Sequence, residues 1–219
     1  MSISPGVASP CRRRRPEHPA KREIAIPDET VAHTSKGDAL GAAWWTEDSE
    51  RWDLLQFEAA HDAAGLPLDQ WWKDRRDVLD ALILTPGPVD HDFARFLLEQ
   101  ETRLHRHCWG FSHTIETAAL LLAEHRRPDD IWLLWQAITS FDTWCGLPHQ
   151  LLLAGGGTTR TIAYVAGSGH EQGDNLLGHL QGLAQATDND VTTLITERRR
   201  YYTDTLRELD DAQEHDDDR

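Results

Sequence analysis

Three groupings of side chains in this sequence have the residue types that chemistry needs. In SFDTWCGLPHQLLLAGGG, residues 140–157, Cys145 stands four positions before His149. On one continuous helix that spacing puts a thiol and an imidazole one turn apart, as a thiolate nucleophile and its base require. The stretch ends in Gly155, Gly156 and Gly157 before Thr158. Such a run can place backbone amides around a phosphate at a helix N-terminus. Upstream, His105, His107, Cys108 and His113 fall within nine positions, with Glu101 one helical turn before His105 and Glu116 three after His113. A carboxylate and an imidazole on one helix face are a partial ligand set for a divalent metal, with a further ligand from a neighbouring helix.

Local chemistry argues against each. Gly146 suits the left-handed turn that ends a helix, and Pro148 the first position of the next, so the helix should break between Cys145 and His149. Cys145 would then lie at a helix C-terminus, where the dipole disfavours a thiolate, on a face shared with Ile131, Trp135, Ile138 and Phe141. The glycine run follows a helical segment rather than a strand and has no Lys-Ser or Lys-Thr pair, with Arg160 the nearest cation. It reads as a turn between helix hairpins with Thr158 as the cap. Around the histidines, Arg103 and Arg106 interleave cations, and HExxH, CxxC and paired Glu-x-x-His motifs are missing from the sequence. Glu101, His105 and His113 remain weak metal candidates. No catalytic residue and no cofactor is expected.

The elements that would position these groups read as helices. Trp52, Leu55 and Ala59 share a helical face, as do Trp71, Val78, Leu79 and Leu82. Val89, Phe93, Phe96, Leu97 and Leu104 make a third, Phe111, Ile115, Ala118, Ala119 and Leu122 a fourth, and Ile131, Leu134, Trp135, Ile138 and Phe141 a fifth. A last helix opens after TDND, residues 187–190, where Asp188 or Asn189 can cap, and carries Val191, Leu194, Ile195 and Leu206. Pro67, Pro86, Pro88, Pro128 and Pro148 punctuate the periodic stretches, and sustained strand alternation is lacking. The expected fold is all-α: antiparallel helix hairpins stacked as a short α-solenoid or closed into a compact bundle. Residues 1–45 read as a disordered basic leader, 46–208 as the helical domain, and 209–219 as an acidic disordered tail.

Composition narrows the function classes. An apolar share of 39% with 9 Trp is enough to build a core, which excludes wholesale disorder. Residues 1–22 hold six cations against Glu17, a net of +5; of the formal −15, the rest therefore carries −20. A body this acidic repels nucleic-acid phosphate, so nucleic-acid binding by the folded domain is not expected. No apolar run is long enough for a membrane helix, and no apolar segment follows Arg12–Arg15 as a secretion signal would need. The widely spaced Cys11, Cys108 and Cys145 fit a reduced compartment, so the expected location is cytoplasmic.

Residues 120–137, LLLAEHRRPDDIWLLWQA, align without gaps on 151–168, LLLAGGGTTRTIAYVAGS, at an offset of 31. A period near thirty is that of helix-hairpin repeats, in which each pair buries its apolar side against the next. From about Ile115 to Val165 the chain resembles the helical units of ankyrin, HEAT and tetratricopeptide proteins in layout, without their consensus residues. Residues 133–156 are also similar to uncharacterised proteins of GC-rich bacteria. Neither resemblance implies an activity.

The function expected is a non-enzymatic helical protein-interaction module whose acidic surface meets another protein, plausibly a basic one. Trp44, Trp45, Trp71 and Trp72 are its candidate interface residues, because adjacent tryptophans cannot both face one core. The alternative is a small helical enzyme, or a ligand- or metal-binding domain, with a site between helices around Glu101, His105, His113 and Glu116. An anti-nuclease protein that mimics nucleic acid is compatible with the charge but has no motif behind it.

Overall fold

The computed structural model describes residues 49–108, 112–140, 146–183 and 185–217. A 3-10 helix at Ser49–Leu55 leads into strands β1 (Ala59–His61) and β2 (Pro67–Asp69). Seven α-helices follow among the described residues: α1 (Trp72–Leu84), α2 (His91–His107), α3 (His113–Ala123), α4 (Ile131–Ile138), α5 (Gly157–Gly167), α6 (Gly173–Gly182) and α7 (Asp188–Asp217). Short 3-10 turns at Pro128–Asp130 and His149–Leu153 precede α4 and α5. The all-α reading holds, with one small hairpin added.

That hairpin corrects the reading of Trp52, Leu55 and Ala59 as one helical face. β1 and β2 pair antiparallel, Ala59 opposite Asp69 and His61 opposite Pro67. The Asp62 carboxylate accepts from the amides of Ala64 and Leu66, both at 2.8 Å, and Gly65 takes φ +78° to close the turn. An aspartate accepting from amides ahead of it, followed by a left-handed glycine, is strong turn chemistry. Pro67 opens a strand here, not a helix.

The helices form where sequence chemistry asks for them. Asp90 caps α2 by accepting from Phe93 N at 2.9 Å, and Arg106 lies in the last turn, where a cation suits the dipole. Ser112 caps α3. Residues Thr114 to Ala123 of α3 are all buried, as expected of a helix apolar on every side. It is the centre around which α1, α2, α4 and α7 pack. The faces read from periodicity are largely the buried ones: Val78, Leu79 and Leu82; Phe93 and Leu97; Ile115 to Leu122; Ile131, Leu134, Trp135 and Ile138. Phe111 and Phe141 lie outside the described residues.

Three terminus assignments differ from expectation. The last helix is capped by Thr187, not by Asp188 or Asn189: Asp190 N donates to Thr187 Oγ1 at 3.2 Å while the Asp190 carboxylate accepts from Thr187 N at 2.8 Å. This is a reciprocal capping box. Thr158 does not cap α5; Gly156 holds the N-cap position and Thr158 Oγ1 donates to the Ala186 carbonyl at 2.6 Å. Finally, α7 runs on to Asp217, so residues 209–217 of the expected disordered tail continue the helix.

Candidate functional site

The helix carrying the Cys145–His149 spacing stops early. α4 ends at Ile138, Gly146 lies in a turn, and Pro148 holds the N-cap position of the turn opening at His149. Cys145 lies outside the described residues. The glycine run has a packing explanation at each position. A Cβ on Gly155 would fall 2.5 Å from Pro128 Cα, while Gly156 and Gly157 hold φ of +132° and +77°. Close approach and left-handed backbone both require glycine.

Glu101 and His105 come together, but around an arginine. Arg75 is fully buried on α1, where its Nε donates to Glu101 Oε1 at 2.8 Å and its Nη1 to the Leu55 carbonyl at 3.2 Å. Its remaining nitrogen pairs with Asp69, itself buried at the end of β2. Asp69 also accepts from the amides of Glu58 at 2.9 Å and Trp71 at 3.2 Å, and Thr114 Oγ1 donates to Glu101 Oε2. His105 completes the group: Nδ1 donates to the Glu101 carbonyl at 2.9 Å, so Nε2 is left to accept from Ser112 N at 3.2 Å. The assembly ties the hairpin, α1, α2 and α3 with a saturated network of charges. Every strong acceptor on Glu101 and both nitrogens of His105 are occupied.

Neighbouring Cys108, at the C-cap of α2, is not poised as a nucleophile. Burial pushes its thiol up to about 11, and the carboxylates of Asp69 and Glu101 add to that against the opposing Arg75. A thiol held that high stays protonated at neutral pH.

His113 and Glu116 belong to a different place. Thr114 turns toward Glu101, whereas His113 and Glu116 turn toward α7. There the Tyr202 hydroxyl donates to Glu116 Oε2 at 2.7 Å, and His113 stacks on the Tyr202 ring at 6.4 Å between centroids. Burial first, and the bond to Glu116 second, push the Tyr202 hydroxyl well above its ordinary range. Arg198 approaches the other Glu116 oxygen at 3.4 Å. The four residues proposed for a site between helices are thus divided between two separate clusters. Among the described residues, no group of three or more His, Cys, Asp or Glu is placed to hold a metal.

A further cluster carries no signal in the sequence reading. Asp130, buried, accepts from His91 Nε2 at 2.8 Å and pairs with Arg95. Arg127 Nη1 lies 3.2 Å from His91 Nδ1, which sets that nitrogen as the acceptor. The His125 ring meets His91 edge-on at 4.9 Å. Burial, then proximity to His91, holds His125 below the ordinary histidine range. The cluster staples the start of α2 to the turn before α4.

Of the four candidate interface tryptophans, Trp44 and Trp45 lie outside the described residues. Trp71 is half-buried and donates from Nε1 to Glu58 at 3.0 Å; Trp72 is also half-buried, with the Arg76 guanidinium 5.4 Å from its ring. Among the described residues, the large apolar side chains that stand most open are Leu66, Tyr201 and Leu209, and two of these lie on α7. Tyr201 and Leu209 border a groove of about 250 Å³ between α7, α1 and α3, whose walls include Ile83, Thr117, Tyr202 and Leu206. No protein-family model, curated protein or solved structure matches this chain.

Proposed function

We propose that this protein is a non-enzymatic helical interaction module that presents an acidic surface to a basic protein partner in the cytoplasm. One observation carries the reading: among the described residues, Glu101, His105, Glu116 and Asp130 are engaged in contacts that hold elements together, while α7 couples the open Tyr201 and Leu209 to a run of acidic residues. From Tyr201 to Asp217 that helix has seven Asp or Glu against Arg207. Past Arg198–Arg200, charge of largely one sign concentrated in the C-terminal part of one helix steers an oppositely charged partner and sets its orientation.

The helix-hairpin repeat belongs to the same reading. Arg126 has φ +56° and Gly157, 31 residues on, has φ +77°. Each follows an apolar stretch ending at equivalent alanines, Ala123 and Ala154. Two left-handed turns at one period support a duplicated hairpin. The fully buried α3 favours a closed bundle around that hairpin over an open stack.

The test is capture from a lysate of the protein's own cell on immobilised full-length chain. Basic proteins retained at low salt and released at moderate salt are the expected result. Retention of nothing under either condition defeats the proposal.

A further inference from the structure

The buried seam of α7 does not stop where its cover stops. Val191, Ile195 and Tyr202 are buried and Leu206 packs on the core, but Leu209, three residues later on the same stripe, is 55% exposed. Tyr201, 58% exposed, flanks it, and the groove against α1 and α3 opens between them. Its volume of about 250 Å³ has room for one or two large apolar side chains. Carboxylates stand at its edge: Asp80 lines it from α1, and Glu208, seven residues after Tyr201 on the same stripe, is exposed.

We infer that this groove receives a basic amphipathic helical segment of another protein, whose Leu or Phe enters the hollow while its Lys or Arg side chains face Asp80 and Glu208. The inference rests on the interaction reading above and locates its surface. Charge chooses the occupant. A second copy of this chain would bring an α7 of ten Asp or Glu against four Arg to face its like, in a protein of formal charge −15, which opposes self-association. A neutral apolar segment would bring no counter-charge to the rim. A cationic helix with one apolar face satisfies both floor and rim, in the helix-in-groove mode that spaced apolar anchors serve. Tyr201 fits as the anchor wall, since aromatic side chains contribute large contact area with little entropy lost.

The probe is a fluorescein-labelled 18-residue peptide of Leu and Lys patterned at helical period, compared with a scrambled peptide of the same composition whose leucines share no face. Anisotropy is read against the full-length chain at low salt. The patterned peptide should bind at least about 10-fold tighter than the scrambled one. L209E and Y201E should each weaken it by about 10-fold or more, the scale of a truncated anchor. L66S, which removes an exposed leucine outside the groove, should leave binding unchanged. Both groove side chains are exposed, so unchanged thermal melts check that the variants fold.

Equal binding of the two peptides, or wild-type affinity in L209E, overturns the inference. So does sedimentation showing a dimer that L209E dissociates, for then the occupant is a second copy. Should L209E still retain basic proteins from lysate as the unaltered chain does, the groove is refuted while the broader interaction reading stands. Loss of capture by the unaltered chain refutes the broader reading instead.

Discussion

Arg75 decides what the Glu101–His105 pair is for. A guanidinium fully removed from water is tolerated only when its charge and donors are met, and here two carboxylates and a carbonyl meet them. Arg75→Ala leaves Asp69 and Glu101 buried without their cation and should cost about 3–5 kcal/mol in denaturant unfolding. Glu101→Gln keeps an acceptor for Arg75 Nε, with its amide able to donate to Thr114 Oγ1, and removes one of two like charges, so it should cost distinctly less. If the two substitutions were equally harmful, the charge argument would fail. His125 supplies a pH dependence of known sign. Its folded-state affinity for a proton is lowered by burial and His91, with Arg127 adding to this and Asp130 and Asp90 opposing. The unfolded chain therefore takes up the proton first. Stability present above about 6.5, the ordinary histidine value, should fall as pH drops below it. His179, lowered by burial and His149, acts in the same direction. Thermal melts between pH 7.5 and 5.5 should show the loss, and His125→Gln should flatten it.

At the scale of elements, the glycine run illustrates what a sequence offers and what it withholds. The argument against a phosphate loop came from the missing strand and lysine. The reason for three glycines did not come from local sequence, since the neighbour that leaves no room at Gly155 is Pro128, 27 residues away in sequence. Gly155→Ala must displace backbone at Pro128 and should destabilise by about 1–3 kcal/mol, the range for overpacking. Gly167→Ala, where a Cβ meets nothing within 4 Å, should be neutral or slightly stabilising in a helix. Comparing the two in denaturant melts separates crowding from a general effect of the methyl. Helices were legible wherever apolar periodicity ran beyond ten residues, as in α2 and α3. The hairpin was not, because three-residue strands are too short for alternation to stand out. Arg75 had a readable sign: it precedes Val78, Leu79 and Leu82 by three, four and seven, an arginine on the buried stripe of α1. The Asp130–His91 cluster had none, since its members are brought together by packing of α2 against the turn before α4.

The whole molecule carries −15 formal charges, and two consequences of that charge run in opposite directions with salt. Self-repulsion in a compact acidic body raises its free energy, and added ions relieve this as the screening length shrinks from roughly 10 Å at 0.1 M to about 3 Å at 1 M. The ion pairs inside the fold resist the same screening where they are buried, as Arg75 is with Asp69 and Glu101. Raising salt should therefore increase the melting temperature of the free protein. A complex steered by carboxylates on α7 depends on the exposed charges that salt screens most, so its affinity should fall over the same range. Melting and peptide anisotropy measured across one salt series should diverge, the fold gaining as the complex loses. Parallel loss of both would mean that exposed ion pairs hold the fold, and an affinity indifferent to salt would mean that the apolar groove works without its acidic rim.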